Sequence, residues 1–167
     1  MNRTPRGFTL IELVIVIVVL GILAVTAMPR LINLQSDARI AALEGLKAGM
    51  QSASDMVHPI AIREGKDTLV SSAITVENDT IQIAYGYPAA YAKDTWAELI
   101  EATFTDSTFH PDDPGDWYFS NPQGGDNDSL IYFMHKSRKL RGENCYLQYN
   151  EASATTPPSF ELETSGC

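Results

Sequence analysis

MNRTPRGFTLIELVIVIVVLGILAVTAM, residues Met1 to Met28, sets the architecture expected of this chain of 167 residues. From Phe8 onward the run is apolar in character and carries a single charge, Glu12. Its 21 residues would form a helix of roughly 31 Å at about 1.5 Å per residue, which matches the hydrocarbon thickness of a bilayer. The first seven residues hold Arg3 and Arg6 and no acid, so the positive-inside rule keeps the N-terminus cytoplasmic and places residues 29–167 outside. A secretory signal peptide would show a shorter apolar region and a small-residue cleavage site after it. Here the run continues into a polar helical pattern instead.

Glu12 is the costly residue in this segment. A carboxylate at membrane depth is expensive unless paired, and an unpaired one would only weaken the anchor. Gly7-Phe8-Thr9-Leu10-Ile11-Glu12, with its basic leader and long apolar run, resembles the processing motif of type IV pilins and type II secretion pseudopilins. The resemblance implies cleavage after Gly7 by a prepilin peptidase and methylation of the new amine on Phe8. Residues 1–7 are then a leader, residues 8–28 a membrane-spanning and assembly helix, and residues 29–167 an amphipathic helix half plus a globular head. Cleavage would create a positive amine four residues from Glu12, about one helical turn away. A buried pair of that kind adds little net stability but penalises every arrangement that leaves one charge alone, so it would act as a register device in a fibre.

Composition is consistent with export. Twelve basic residues face 21 acidic ones, a net charge of −9, and loss of the two leader arginines takes it to −11. Nucleic-acid binding as the main task is disfavoured, because phosphate neutralisation needs clustered Lys and Arg. The basic cluster Lys136, Arg138, Lys139 and Arg141 reads as a solvated turn or strand edge. Cys145 and Cys167 are the whole cysteine complement; in an exported protein an even count predicts a disulfide, here closing a loop of about 22 residues for about 3 kcal/mol. A paired-cysteine segment in this position resembles the outward-facing region of pilins.

Beyond the apolar run the helical pattern continues. Leu31, Leu34, Ala38, Ala41, Gly45 and Ala48 make one stripe, and Leu43, Leu46, Met50, Ala53 and Val57 another. One long helix is therefore expected, apolar all round and then amphipathic against a head, ending or kinking at Pro59 and finished between His58 and Gly65. Gly21 and Pro29 bracket a segment with weakened helix propensity; the resemblance implies local unwinding between them in filaments. The head reads as α+β. Strands are expected at residues 73–77 and 80–85 about Asn78-Asp79, then at 117–120, 130–135, 145–149 and 160–164, with a short helix opened by a Thr95/Glu98 capping box. An antiparallel sheet of about four or more strands packed on the long helix, the type IV pilin fold, follows.

Catalytic signatures are missing from the sequence: His58, His110 and His135 are scattered, and no nucleophile elbow, P-loop or dinucleotide fingerprint occurs. No enzyme activity and no cofactor are expected. Two acidic loops, Asp112/Asp113/Asp116 and Asp126/Asn127/Asp128, could offer oxygens to calcium but lack EF-hand spacing, so Asx turns are expected there and no metal. Tyr85, Tyr87, Tyr91, Trp96, Trp117, Tyr118 and Phe119 are expected mostly in the core, while any left outside could stack on sugars of a host or polysaccharide surface.

Residues 26–39, with Tyr85-Gly86-Tyr87-Pro88-Ala89-Ala90 and Thr164-Ser165-Gly166-Cys167, resemble the mannose-sensitive haemagglutinin (MSHA) pilins of marine gammaproteobacteria. This implies a major subunit that waits as a single-pass protein of the inner membrane, then polymerises with itself through the pilus assembly machinery into an extracellular pilus for adhesion and biofilm formation. The alternative is a minor pilin or a type II secretion pseudopilin.

Overall fold

The computed structural model describes residues 8–121 and 129–167, with the side chains of 27–33 outside the description. The acidic triplet Asp126/Asn127/Asp128, and residues 1–7 with Gly7 and the expected leader, lie outside the described residues. Two compact units result, Met1–Ala38 and Arg39–Cys167.

Helix α1 runs from Leu10 to Arg63. Its backbone is helical through both Gly21 and Pro29. Pro59 was expected to end or kink it, yet four more helical residues follow. A proline this close to the end removes only one N–H, the partner of the Asp55 carbonyl, within a turn of the helix terminus. The end at Arg63 falls inside the expected window, and Glu64 and Gly65 close it with N–H bonds to the carbonyls of Ile60 and Ile62.

Within the second unit, Leu43, Leu46, Met50, Ala53, Val57 and Ala61 are buried and form the face of α1 that packs on the head. The other stripe of the same spacing is not covered by the head. Leu34 is 60% exposed, and Ala38, Ala41, Gly45 and Ala48 are not buried either. Both stripes have helical spacing; only the position of the sheets decides which one is covered.

Two sheets replace the single one expected. The first contains β1 (Ser72–Val76), β2 (Asp79–Ala84) and β3 (Tyr87–Pro88) in antiparallel order. Val76 pairs with Asp79, so the turn residues are Glu77 and Asn78, one position earlier than expected, with Glu77 at φ 58°. The second sheet has the order β4 (Phe104–Asp106), β5 (Trp117–Ser120), β6 (Leu130–His135), β7 (Tyr146–Asn150), β8 (Ser159–Glu163). Its pairs are antiparallel except β4 with β5, which run parallel. The Thr95/Glu98 capping box does not form. Thr95 is buried inside a π-helical turn, Ala92–Trp96, and its hydroxyl donates to the Gln82 carbonyl at 3.2 Å. Helix α2 is only Ala97–Leu99.

The main core joins Leu43, Leu46 and Met50 of α1 to Trp96, Phe133, Leu147 and Tyr149. Trp96 meets Tyr149 edge to face at 4.9 Å, and the Tyr149 hydroxyl, buried, donates to the Pro88 carbonyl at 2.5 Å. A smaller cluster, Val57, Ala61, Ile74, Ile81 and Ile83, seats the first sheet on the end of the same helix. On the second sheet, Tyr118, Tyr132 and Met134 make a third cluster. The basic side chains that follow cover it: Lys139 lies 4.6 Å from the Tyr118 ring centroid and Arg141 4.7 Å from that of Tyr132, while Arg138 pairs with Glu143 at 3.0 Å.

Candidate processing and assembly site

The first turn of α1 carries the chemistry singled out by sequence. Thr9 sits at the N-cap: its carbonyl accepts the first intrahelical bond, from Leu13 N–H at 3.3 Å. The Thr9 N–H and hydroxyl donate to Glu12 Oε2 at 3.1 and 3.0 Å, and the Glu12 N–H donates to Thr9 Oγ1 at 3.3 Å. This reciprocal arrangement is a capping box, which satisfies two of the N–H groups that every helix start leaves without intrahelical partners. Glu12 is therefore not left without partners at the helix start; Thr9 supplies them. The signal was legible as Thr9-x-x-Glu12, and sequence reading missed it by looking only for an opposite charge.

Around this turn the helix surface is apolar on every side. Phe8 is 92% exposed, and Leu10, Ile11, Leu13 and the Val, Ile and Leu residues from Val14 to Val25 are all exposed too. Such a contiguous uncovered surface demands lipid or another chain, because exposing it to water costs roughly 25 cal/mol per Å². Among the described residues no helix is long and apolar enough to cross a membrane; the described side chains of the run stop at residue 26. Gly21 lies on the helix with open space where a Cβ would be.

At the other end of the chain Cys145 and Cys167 form a disulfide. Sequence reading did not find the residues that hold it in place. Arg39 of α1 donates from Nε to Ser137 Oγ at 2.9 Å and from Nη1 to the Cys167 carbonyl. Gly166 has no room for a side chain, since a Cβ there would collide with the Glu143 carbonyl. Both contacts are long-range and leave no local pattern.

The histidines do not converge: His58 stacks on Tyr87, His110 lies 3.6 Å from Asp113, and His135 bonds Ser137. Asp116 accepts the Thr103 N–H, and Asp106 caps the turn at Thr108 and Phe109. Among the described residues no group of three or more His, Cys, Asp or Glu could hold a metal ion.

Residues 2–28 match the prokaryotic N-terminal methylation motif. The match covers the capping box of Thr9 and Glu12 and the residues before it in one stretch. The chain is also 48% identical over 48 residues to the type IV narrow pilus major component PilA5 of Thermus thermophilus, a match covering 29% of this chain and 41% of that protein. The chain thus spans about two-fifths of the length of that relative. No solved structure matches.

Proposed function

We propose that this chain is a structural subunit of a type IV pilus, cleaved after Gly7, methylated on Phe8 and polymerised through residues 8–57 into a surface filament. The observation that supports it is the methylation motif placed on a helix start whose whole circumference is apolar and uncovered. Before assembly the segment 8–28 spans the inner membrane, its Glu12 capped by Thr9. Cleavage frees an amine on the residue next to Thr9, within reach of the same carboxylate, and a neighbouring subunit's amine can compete for it in the filament. Because either charge left alone in apolar surroundings is strongly penalised, the pair fixes the axial register of each incoming subunit. In the packed filament the segment from Gly21 to Pro29 unwinds, and the acidic head faces outward. The MSHA-like role, adhesion and biofilm formation, belongs to this same reading, as do the partners: prepilin peptidase, the inner-membrane assembly machinery and other copies of the chain. The role is structural, with no reaction catalysed.

Mass spectrometry of filaments sheared from the cell surface tests the reading. The expected species begins at N-methylated Phe8 and lacks two hydrogens at Cys145 and Cys167. A chain that keeps its leader, or is found in filaments only in traces, would overturn the subunit role; traces would point to a minor pilin or a pseudopilin. Glu12→Ala is expected to be inserted and cleaved normally while filament yield drops, and a normal yield would remove the register role.

A further inference from the structure

Two open depressions meet at Tyr87. One, of about 400 Å³, is lined by Tyr85, Tyr87, Asp67 and the loop 153–157; the other, of about 450 Å³, lies between Gln51, Ser54 and Asp55 of α1 and residues 157, 158 and 160. The turn between β2 and β3 sets the ring that they share. Tyr85 and Gly86 both have positive φ, 49° and 80°, and Gly86 is confined, since a Cβ there would approach the Asp67 Cα to 2.9 Å. The Tyr87 ring stacks on His58 at 4.0 Å and 7°, which holds it in place.

The charges along this trough are of one sign. Neither depression is lined by a lysine or arginine, and each contributes one aspartate. Neither Asp55 nor Asp67 takes part in an ion pair among the described residues. Lys66, the cation next to Asp67 in the chain, is engaged elsewhere: its Nζ donates to Glu64 at 2.8 Å and to the Ala73 carbonyl at 2.7 Å.

The second depression also holds an acceptor without a donor. Ser54 is 4% exposed, and its Oγ has no hydrogen-bond partner among the described residues, an arrangement that destabilises the free protein. Gln51, Ser54 and Asp55 stand at i, i+3 and i+4 on α1, so they share one helix face. They offer an amide oxygen, a hydroxyl and a carboxylate, and a primary ammonium carries three N–H donors and no acceptor of its own. Such charge-assisted bonds are the strong ones, and a cation beside the Tyr87 ring is attracted by its π face. Asp67, across Tyr87, suits a second cationic end. A metal ion does not fit the same features: the two aspartates line separate depressions, and no group of three or more His, Cys, Asp or Glu among the described residues could hold one.

We infer that the trough on either side of Tyr87 binds an aliphatic polyamine, with one ammonium taken by Gln51, Ser54 and Asp55, the alkyl chain laid against Tyr87 and a second ammonium taken by Asp67. All of these residues belong to the second unit, so the site does not depend on filament formation.

The test uses the full chain in micelles of an uncharged polyoxyethylene detergent. Phosphate buffer at about 0.15 M ionic strength introduces no competing amine and screens diffuse attraction to an acidic surface beyond about 8 Å. Spermidine is the probe, butylamine and magnesium chloride are the controls, and binding is followed by calorimetric titration. Spermidine is expected to bind saturably, about tenfold or more tighter than butylamine or Mg²⁺. Asp55→Asn and Asp67→Asn should each weaken it about tenfold, the loss expected for one charge-assisted bond. Asp112→Asn, which removes an exposed charge from the loop between β4 and β5, should leave affinity unchanged. Ser54→Ala should weaken binding yet melt no lower than the parent without ligand, because the hydroxyl it removes is buried and unpartnered; this variant decides the matter if an aspartate variant fails to fold. A polyamine site is ruled out if spermidine does not bind saturably up to about 10 mM, or if Mg²⁺ or butylamine binds as tightly. It is equally ruled out if affinity survives the folded Asp55→Asn, Asp67→Asn or Ser54→Ala variant, or if Asp112→Asn weakens binding as much as they do.

Discussion

Glu12 and Glu151 show how differently two carboxylates of one chain are handled. Glu12 sits in the first turn of a helix, where the partial positive charge of the unpaired N–H groups and the Thr9 donors make a local home for it. Glu151 is half-buried in the head and accepts the Ala90 N–H at 2.7 Å. Burial raises its pKa above 4.5, and the Ala90 hydrogen bond only partly offsets that. The folded state therefore holds the proton more tightly than the unfolded state, and the ionised side chain destabilises the fold at neutral pH. As pH falls through the raised value the proton binds and this penalty disappears; below 4.5 both states are protonated and nothing more changes. Glu151→Gln, whose amide oxygen can still accept from Ala90, is expected to melt higher than the parent at pH 7. The gap should close on acidification to below the carboxylate range. A melting difference that stays constant between pH 7 and pH 4 would show that Glu151 is not the group responsible.

At the scale of elements, α1 is one helix with two environments. Residues 10–26 expose apolar side chains on all sides, and from Leu43 onward one face is covered by the sheets. The contrast between stripes makes a direct test. Leu43 is fully buried, and Leu43→Ala should lower the unfolding free energy of the head by about 2–5 kcal/mol through lost transfer energy and a residual cavity. Leu34 is 60% exposed, and Leu34→Ala should stay within about 0.5 kcal/mol in denaturant titrations of the full chain in micelles. Equal effects would mean that the helix face had been assigned wrongly. The sequence offered both stripes with equal spacing. Strand β4 was missed because three residues cannot display a period of two, and β3 has only two.

For the whole molecule, one group of long-range ties gathers at the end of the chain. The Cys145–Cys167 bond spans 22 residues, and Arg39 brings α1 into the same cluster by bonding Ser137 and the Cys167 carbonyl. Replacing both cysteines by serine should cost about 3 kcal/mol, chiefly by releasing the loop in the unfolded chain. Thermal melts of the double variant should fall under non-reducing conditions and match the parent melted in reductant. If reductant leaves the parent unchanged, the bond contributes nothing to stability. The tie lies within the largest of the three core clusters, which contains both cysteines.

Contiguous patterns were legible from the sequence: the apolar run, the methylation motif, the end of α1 near Arg63, strands β5 and β6 at their observed bounds, and the pairing of two cysteines. Each rests on neighbours within one or two turns or on a count, so no knowledge of distant partners was needed. Tertiary structure alone decided which stripe of α1 is buried, that Thr95 serves as a buried donor to Gln82 and not a helix cap, and that the strands divide into two sheets with one parallel pair. It also decided that Tyr85 and Tyr87 flank a trough while Trp96 fills the core. Local spacing fixes which side chains share a face, but burial is a property of what arrives from elsewhere in the chain, and helix and strand periodicities carry no information about that arrival.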